Sequence, residues 1–196
     1  MSKAKEVLNQ LHELEELSNE LRIAFNKPVF EIALKDFTKI CLDLLSDQEI
    51  ALGGGLALSI YSNPRLTQDV DLFIHAKDLD SIKSILLNNN FKELEHYQFG
   101  HMNIFKFKYE DRELDLLYSS DTKFNNFLYD TAVSSPDYKS KVLSVEGLIL
   151  TKLTKRLKDA ADIESIISHG NKIDKGIIKQ WASELKLMNR IPDELS

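Results

Sequence analysis

Apolar residues recur along the chain with two different periods. Over residues 3–25 the leucines Leu11, Leu14, Leu17 and Leu21, followed by Phe25, stand three and four positions apart. That spacing predicts an amphipathic helix that covers its own domain or meets a second subunit, and it is too short to require a coiled coil. Asn26-Lys27-Pro28 breaks it. Ala33, Phe37, Ile40, Cys41 and Leu44 then predict a second amphipathic helix.

From about residue 48 the period shortens. EIALGGG predicts a buried strand running into a glycine turn, LALSIYS a short helix ended by Asn63-Pro64, and QDVDLFIH another strand. Asp78 or Asp80 is placed to cap a helix through about Leu87. FKELEHYQF, NIFKFKYE and RELDLLYS predict three antiparallel strands joined by short turns. The stretch from about Ser119 to Lys141 shows neither period clearly. Near Ser144 the helical period returns and predicts one long helix to about Ser168. A last helix, capped by Asp174, carries Ile177, Ile178, Trp181 and Leu185 on one face, so Trp181 is a core residue rather than a stacking platform. The expected organisation is N-terminal helices over 1–46, an α/β core over 47–141 and a helical region over 142–196, packed as one globular unit.

Composition narrows the class. With 196 residues, 43% hydrophobic and 29% charged, the chain can bury a core and is not disordered. Its 25 basic and 31 acidic residues leave a net charge of -6, so charge alone does not point to nucleic acid. The single cysteine, Cys41, excludes an internal disulfide and fits a reducing cytoplasm. The charged start MSKAKEVLNQLHELEE lacks the apolar stretch of a signal peptide. The longest apolar run, IALGGGLALSIY, falls well short of the roughly 20 residues of a membrane span. The expectation is a soluble protein without membrane association.

Three features carry chemistry. Gly53-Gly54-Gly55 between a strand and a helix lets backbone N–H groups and the positive helix end approach a phosphate, although a tight turn alone also needs glycine. Asp69 and Asp71 alternate in an apolar strand, so their carboxylates project from one face while Val70 faces the other. Paired buried carboxylates are unfavourable without a cation, and an oxygen-only ligand set suits Mg²⁺ carrying substrate phosphates. Asp115 in RELDLLY is the third carboxylate, with Glu113 on the same face as its rival. If the two strands are neighbours, the three acids suit two-metal phosphoryl transfer. The five histidines show no metal-ligand spacing, and His101 sits at a predicted hairpin turn.

The span GGGLALSIYSNPRLTQDVDLFI resembles the signature of the nucleotidyltransferase superfamily, the one that includes DNA polymerase β. The tail VLSVEGLILTKLTKRLKDAADIESI is similar to abortive-infection and toxin–antitoxin nucleotidyltransferases. The likeness covers roughly residues 48 to 188. It implies a mixed β-sheet flanked by helices, with N-terminal helices and a C-terminal helical annex. It also implies that Gly53 and Gly54 hold the triphosphate, that Asp69, Asp71 and Asp115 bind two Mg²⁺ ions, and that Asp115 helps to activate the acceptor hydroxyl. Arg65 and Thr67 match the polar residues before the Asp-x-Asp strand. Gly54 replaces the serine of many relatives and leaves only backbone contacts to phosphate.

On the predicted long helix, Val145, Ile149, Lys152, Arg156, Asp159 and Ile163 share one stripe, so Lys152 is partly buried and needs an anionic partner, a phosphate or a catalytic carboxylate. The alternative is a solvated face laced by Lys155–Asp159 and Lys158–Asp162. The expected function is transfer of a nucleoside monophosphate from an NTP to a hydroxyl of a tRNA, a protein or a small molecule, with a toxin paired to an antitoxin as one setting. Lys139, Lys141, Lys152, Lys155, Arg156 and Lys158 are the basic residues available to RNA. The alternatives are a catalytically silent, nucleotide-binding regulatory or antitoxin-like partner, and an interaction domain that dimerises through its N-terminal helix.

Overall fold

The structure is a computed structural model that describes Glu15 and residues 33–195. The leucine-striped helix expected over 3–25, and the homodimer interface it would offer, lie outside the described residues apart from Glu15.

The first described helix, α1 (Leu34–Leu44), leads into β1 (Ile50–Leu52), the short α2 (Gly54–Tyr61) and β2 (Asp69–Ile74). Helix α3 (Leu79–Asn88) precedes the meander β3 (Lys92–Phe99), β4 (Met102–Tyr109) and β5 (Arg112–Ser119). The region without a clear period forms α4 (Thr122–Asp130), β6 (Val133–Ser135) and β7 (Ser140–Val142). Helices α5 (Val145–Thr151), α6 (Leu157–Ser168) and α7 (Lys175–Glu184) follow. Among the described residues the strands form one seven-stranded mixed sheet in the order β3-β4-β5-β2-β1-β7-β6.

Hydrophobic alternation decides which face of this sheet is sealed. Val70 and Leu72 on β2, Leu114 and Leu116 on β5, and Phe107 on β4 are buried on one face. Helix α1 packs against β2 and β5, and its Phe37 stacks 6.2 Å from Phe91 and 6.3 Å from Tyr109. The opposite face carries Asp69, Asp71 and Asp115, with α2 lying across β2. Behind α2 stand α5 and α6, and α7 packs on α5. Trp181 on α7 sits 5.2 Å from Phe124 and 5.0 Å from Phe127, a core position as its helical spacing predicted. No described helix is long and apolar enough to cross a membrane.

Two expectations are corrected. The predicted helix from Ser144 to Ser168 is two helices, α5 and α6, separated by residues 152–156. In a straight helix, residues ten apart stand about 15 Å apart, yet Lys152 Nζ lies 2.7 Å from Asp162 Oδ2. The bend is held locally: Thr154 Oγ accepts from Arg156 N at 3.0 Å and donates to Asp159, an arrangement that competes with helical hydrogen bonding. The solvated pairs Lys155–Asp159 and Lys158–Asp162 give way to Arg156–Asp159 and to Lys152 and Arg65 on Asp162. Asp78 does occupy the N-cap of α3, but its side chain makes no capping bond.

Asp174 caps α7 by accepting from Gly176 N at 2.8 Å and Ile177 N at 3.2 Å. Asp174→Ala should cost about 1 kcal/mol, read as a lower urea midpoint at unchanged slope.

Candidate active site

The parallel pairing of β2 with β5 sets Asp71 opposite Asp115 and Asp69 opposite Glu113. One carboxylate oxygen from each of Asp69, Asp71 and Asp115 lies within 4.8 Å of the other two. Asp115 is only 6% exposed, and its buried Oδ1 faces a single cation, Lys106 Nζ at 3.1 Å. Asp69 and Asp71 are half-buried, so the cluster opens to one side. An all-oxygen set, too close for three free anions, fits a hard divalent cation that also takes phosphate oxygens. Glu113 stands outside this oxygen cluster, with Oε2 2.9 Å from Lys106 Nζ.

The glycine turn is shaped by the same carboxylates. Gly53 N donates to Asp71 O at 2.9 Å, which hooks the turn onto β2. Gly54 has φ +52°, and a Cβ there would lie 1.6 Å from Asp71 Oδ2. Only glycine can take that backbone conformation and leave room for the carboxylate. Helix α2 therefore starts directly against Asp71, with its first N–H groups unpaired in the helix.

The other predicted residues hold distinct places. Thr67 is buried and donates to Asp69 Oδ1 at 2.7 Å, which orients that carboxylate. Arg65 grips Asp162 with Nε at 2.9 Å and Nη2 at 3.1 Å. Lys152, 7% exposed, is bonded to the same Asp162 rather than to the acidic cluster. Burial opposes the charge of Asp162, and Arg65 and Lys152 together hold it below the usual carboxylate range. The structure thus brings Asp69, Asp71, Asp115, Gly54 and Thr67 together and places Lys152 and Arg65 in an adjacent ion-paired layer.

Lys106 was not singled out from the sequence. It lies across from Asp115 on β4, with Nζ 3.1 Å from Asp115 Oδ1. Its sequence signal was weak: Lys106 and Lys108 alternate with Phe105, Phe107 and Tyr109, a pattern that a solvated sheet face also gives. Burial works against its charge, but Glu113 and Asp115 raise it above the usual lysine range.

The electrostatics follow from this crowding. Burial, then Asp69 and Asp115, push Asp71 up to about 7, against the opposing fields of Lys152 and Lys158. Burial raises Asp115 to about 6, with Lys106 pulling it back.

No protein-family model and no curated protein sequence matches the chain. Solved structures do. The solution structure of the antibiotic-resistance factor ANT(2'')-Ia aligns with a TM-score of 0.57 at 12% identity, covering 81% of this chain and 97% of that one. The crystal structure of ANT(2'')-Ia with adenylyl-2''-tobramycin aligns with a TM-score of 0.51 at 13% identity, covering 78% and 95%. The lincomycin-bound lincosamide antibiotic adenylyltransferase LnuA aligns with a TM-score of 0.50 at 18% identity, covering 70% and 98%. The chain has the nucleotidyltransferase fold, as its glycine turn and Asp-x-Asp strand led one to expect.

Two outcomes follow from the geometry. Asp71 ionises near 3.8 when unfolded and near 7 when folded, so between those values the folded state keeps a proton that the unfolded state has lost. Stability of the metal-free protein should therefore fall as pH rises through that window, and Asp115 adds the same sign. Mg²⁺ should raise the melting temperature more at about pH 8 than at about pH 5.5, since it replaces those protons. Asp71→Asn should flatten both trends and stabilise the metal-free protein by about 1 kcal/mol or more at the higher pH. Gly54→Ala should cost at least about 2 kcal/mol through its backbone and its collision with Asp71, measured by chemical denaturation.

Proposed function

We propose that the protein transfers a nucleoside monophosphate from a nucleoside triphosphate to an acceptor hydroxyl and releases pyrophosphate. The carrying observation is the convergence of Asp69, Asp71 and Asp115 within 4.8 Å, beside a turn where only glycine fits. In this reading Asp69 and Asp71 hold the divalent cations, and Asp115 completes the set from the neighbouring strand. Bound Mg²⁺, as two ions, would neutralise the triphosphate and activate the attacking oxygen. Gly53, Gly54 and the N–H groups that open α2 cradle phosphate oxygens. Thr67 fixes the rotamer of Asp69. Asp115, whose burial raises its proton affinity, would take up the acceptor's proton. Lys152, anchored on Asp162, contributes positive field beside Asp71, and Arg65 on the same Asp162 ties the loop before β2 to the annex.

The acceptor class proposed first is a small hydroxylated molecule. The neighbouring structures support it, since one carries adenylyl-2''-tobramycin and another lincomycin. A tRNA end or a protein hydroxyl, in a toxin held by an antitoxin, is the second class. The exposed Lys155, Arg156 and Lys158 at the start of α6 favour it. ATP and the other triphosphates are cytoplasmic substrates, and we place the protein there.

The test supplies each α-labelled NTP with Mg²⁺ and, in turn, hydroxyl-bearing antibiotics, total RNA and total protein. Label should pass to one acceptor class, and Asp69→Ala should lower the rate by about 100-fold or more. Tight NTP binding with no transfer would refute catalysis and leave a silent nucleotide-binding partner. Absence of Mg²⁺-dependent NTP binding would refute both.

A further inference from the structure

We propose that the protein carries a second binding site, for a phosphate-class oxyanion, in the cavity between the β3–β4 hairpin and the annex. This proposal does not rest on the transfer reaction. The cavity encloses about 270 Å³ and lies between the hairpin tip, the end of α5 with the loop after it, and the short turn Met188–Arg190. His101, Arg190, Lys155, Thr151 and Thr154 supply its polar wall, and no carboxylate of the described residues lines it.

Two residues of that wall each carry a buried nitrogen without a hydrogen-bond partner among the described residues: His101 Nε2 and Arg190 Nε. A buried, unmet polar atom costs about 1–3 kcal/mol; Arg190 Nε can only donate, and His101 Nε2 donates in the tautomer that holds its proton there, so a ligand that accepts from both satisfies the pair. Both side chains are held in place. Arg190 Nη1 donates to Leu153 O at 3.0 Å, which leaves Nε as the unused edge of the guanidinium. The His101 ring meets Phe124 edge-on at 5.1 Å. Asp121, the acid that acts on His101, is committed to the N-cap of α4 through Phe124 N.

The chemistry of the wall selects the occupant. A guanidinium can only donate, and Lys155 on the exposed side adds a second permanent cation. Burial and the charge of Arg190 keep His101 neutral more readily than usual, and an arriving anion relieves that repulsion. Its volume falls below the roughly 300 Å³ at which drug-sized ligands begin to fit, so the pocket suits one phosphate group rather than a nucleotide. It is separate from the acidic cluster. Met102 pairs with Ser119 and Lys106 with Asp115, so the hairpin end stands about 13 Å along the strands from Asp115. The phosphate comes either free from solution or as a group borne by a bound acceptor.

The experiment titrates inorganic phosphate into the full chain in the presence of a metal chelator, following the His101 ring signals by NMR and heat by calorimetry. Phosphate should shift the His101 signals saturably. Asp69→Ala should bind as the parent does, and the double variant His101→Asn/Arg190→Gln should bind about 10-fold more weakly or worse. Should the double variant fail to fold, the exposed Lys155→Gln is read instead, with roughly 3-fold weaker binding expected. Comparing inorganic phosphate, a nucleoside monophosphate and its nucleoside separates the sources. A response to inorganic phosphate assigns a free anion, and a response to the monophosphate alone assigns an acceptor-borne group. An unmoved His101 signal with all three, or undiminished affinity in the variants, overturns the proposal.

Discussion

Three carboxylates that share a 4.8 Å neighbourhood repel one another, and the local field alone would drive them apart or leave them protonated. Their backbones cannot separate, because β2 and β5 are sealed on the other face by Val70, Leu72, Leu114 and Leu116. A one-residue slip of register would turn those apolar side chains outward and the acids inward. The hydrophobic core therefore fixes a polar arrangement that is unfavourable by itself. The consequence is visible in Asp71, pushed up to about 7, and in Asp115, raised to about 6. A site held in this state binds protons or cations strongly, which is the property a metal-dependent reaction uses.

The surroundings moderate that repulsion without cancelling it. Lys106 reaches Asp115 from β4, and Thr67 donates to Asp69 from the loop before β2. Lys152 and Lys158 act on Asp71 only through space. Lys152 is itself neutralised by Asp162, which also binds Arg65. These two cations, the buried Lys152 and the half-buried Arg65, meet on one buried carboxylate and join the annex to the loop that feeds β2. Breaking one partner of such a group leaves a charge in low dielectric, so the annex and the acidic cluster are mechanically linked.

Glycine at position 54 shows how packing and chemistry meet in one residue. The turn must have a left-handed backbone there, and the space of a side chain is taken by the Asp71 carboxylate. The fold alone supports many chemistries, so what distinguishes this chain lies in the particular side chains placed around the glycine turn and the three acids.

Local pattern was enough to reveal strands β1 to β5, the glycine turn, the alternation of Asp69 and Asp71, and the Asp174 cap, because each depends on residues within a few positions of one another, whereas the short β6 and β7 carried no period of their own. Composition and motif also pointed to the fold. What sequence could not settle was anything that depends on partners far apart in the chain. The pairing of Asp71 with Asp115 needed β2 and β5 to be neighbours across the crossover that contains the meander. Lys106 looked like one polar residue among several until the sheet set it against Asp115. The break after Lys152 was hidden by a helical period that runs through it unbroken. The bend is held by Thr154 between Arg156 N and Asp159, and it brings Lys152 onto Asp162, a partner ten positions away that periodicity does not reveal. The unmatched nitrogens of His101 and Arg190 likewise exist only because a hairpin and a turn some ninety positions apart in the sequence close on one cavity. Periodicity records which face a residue prefers, and tertiary packing decides what it meets there.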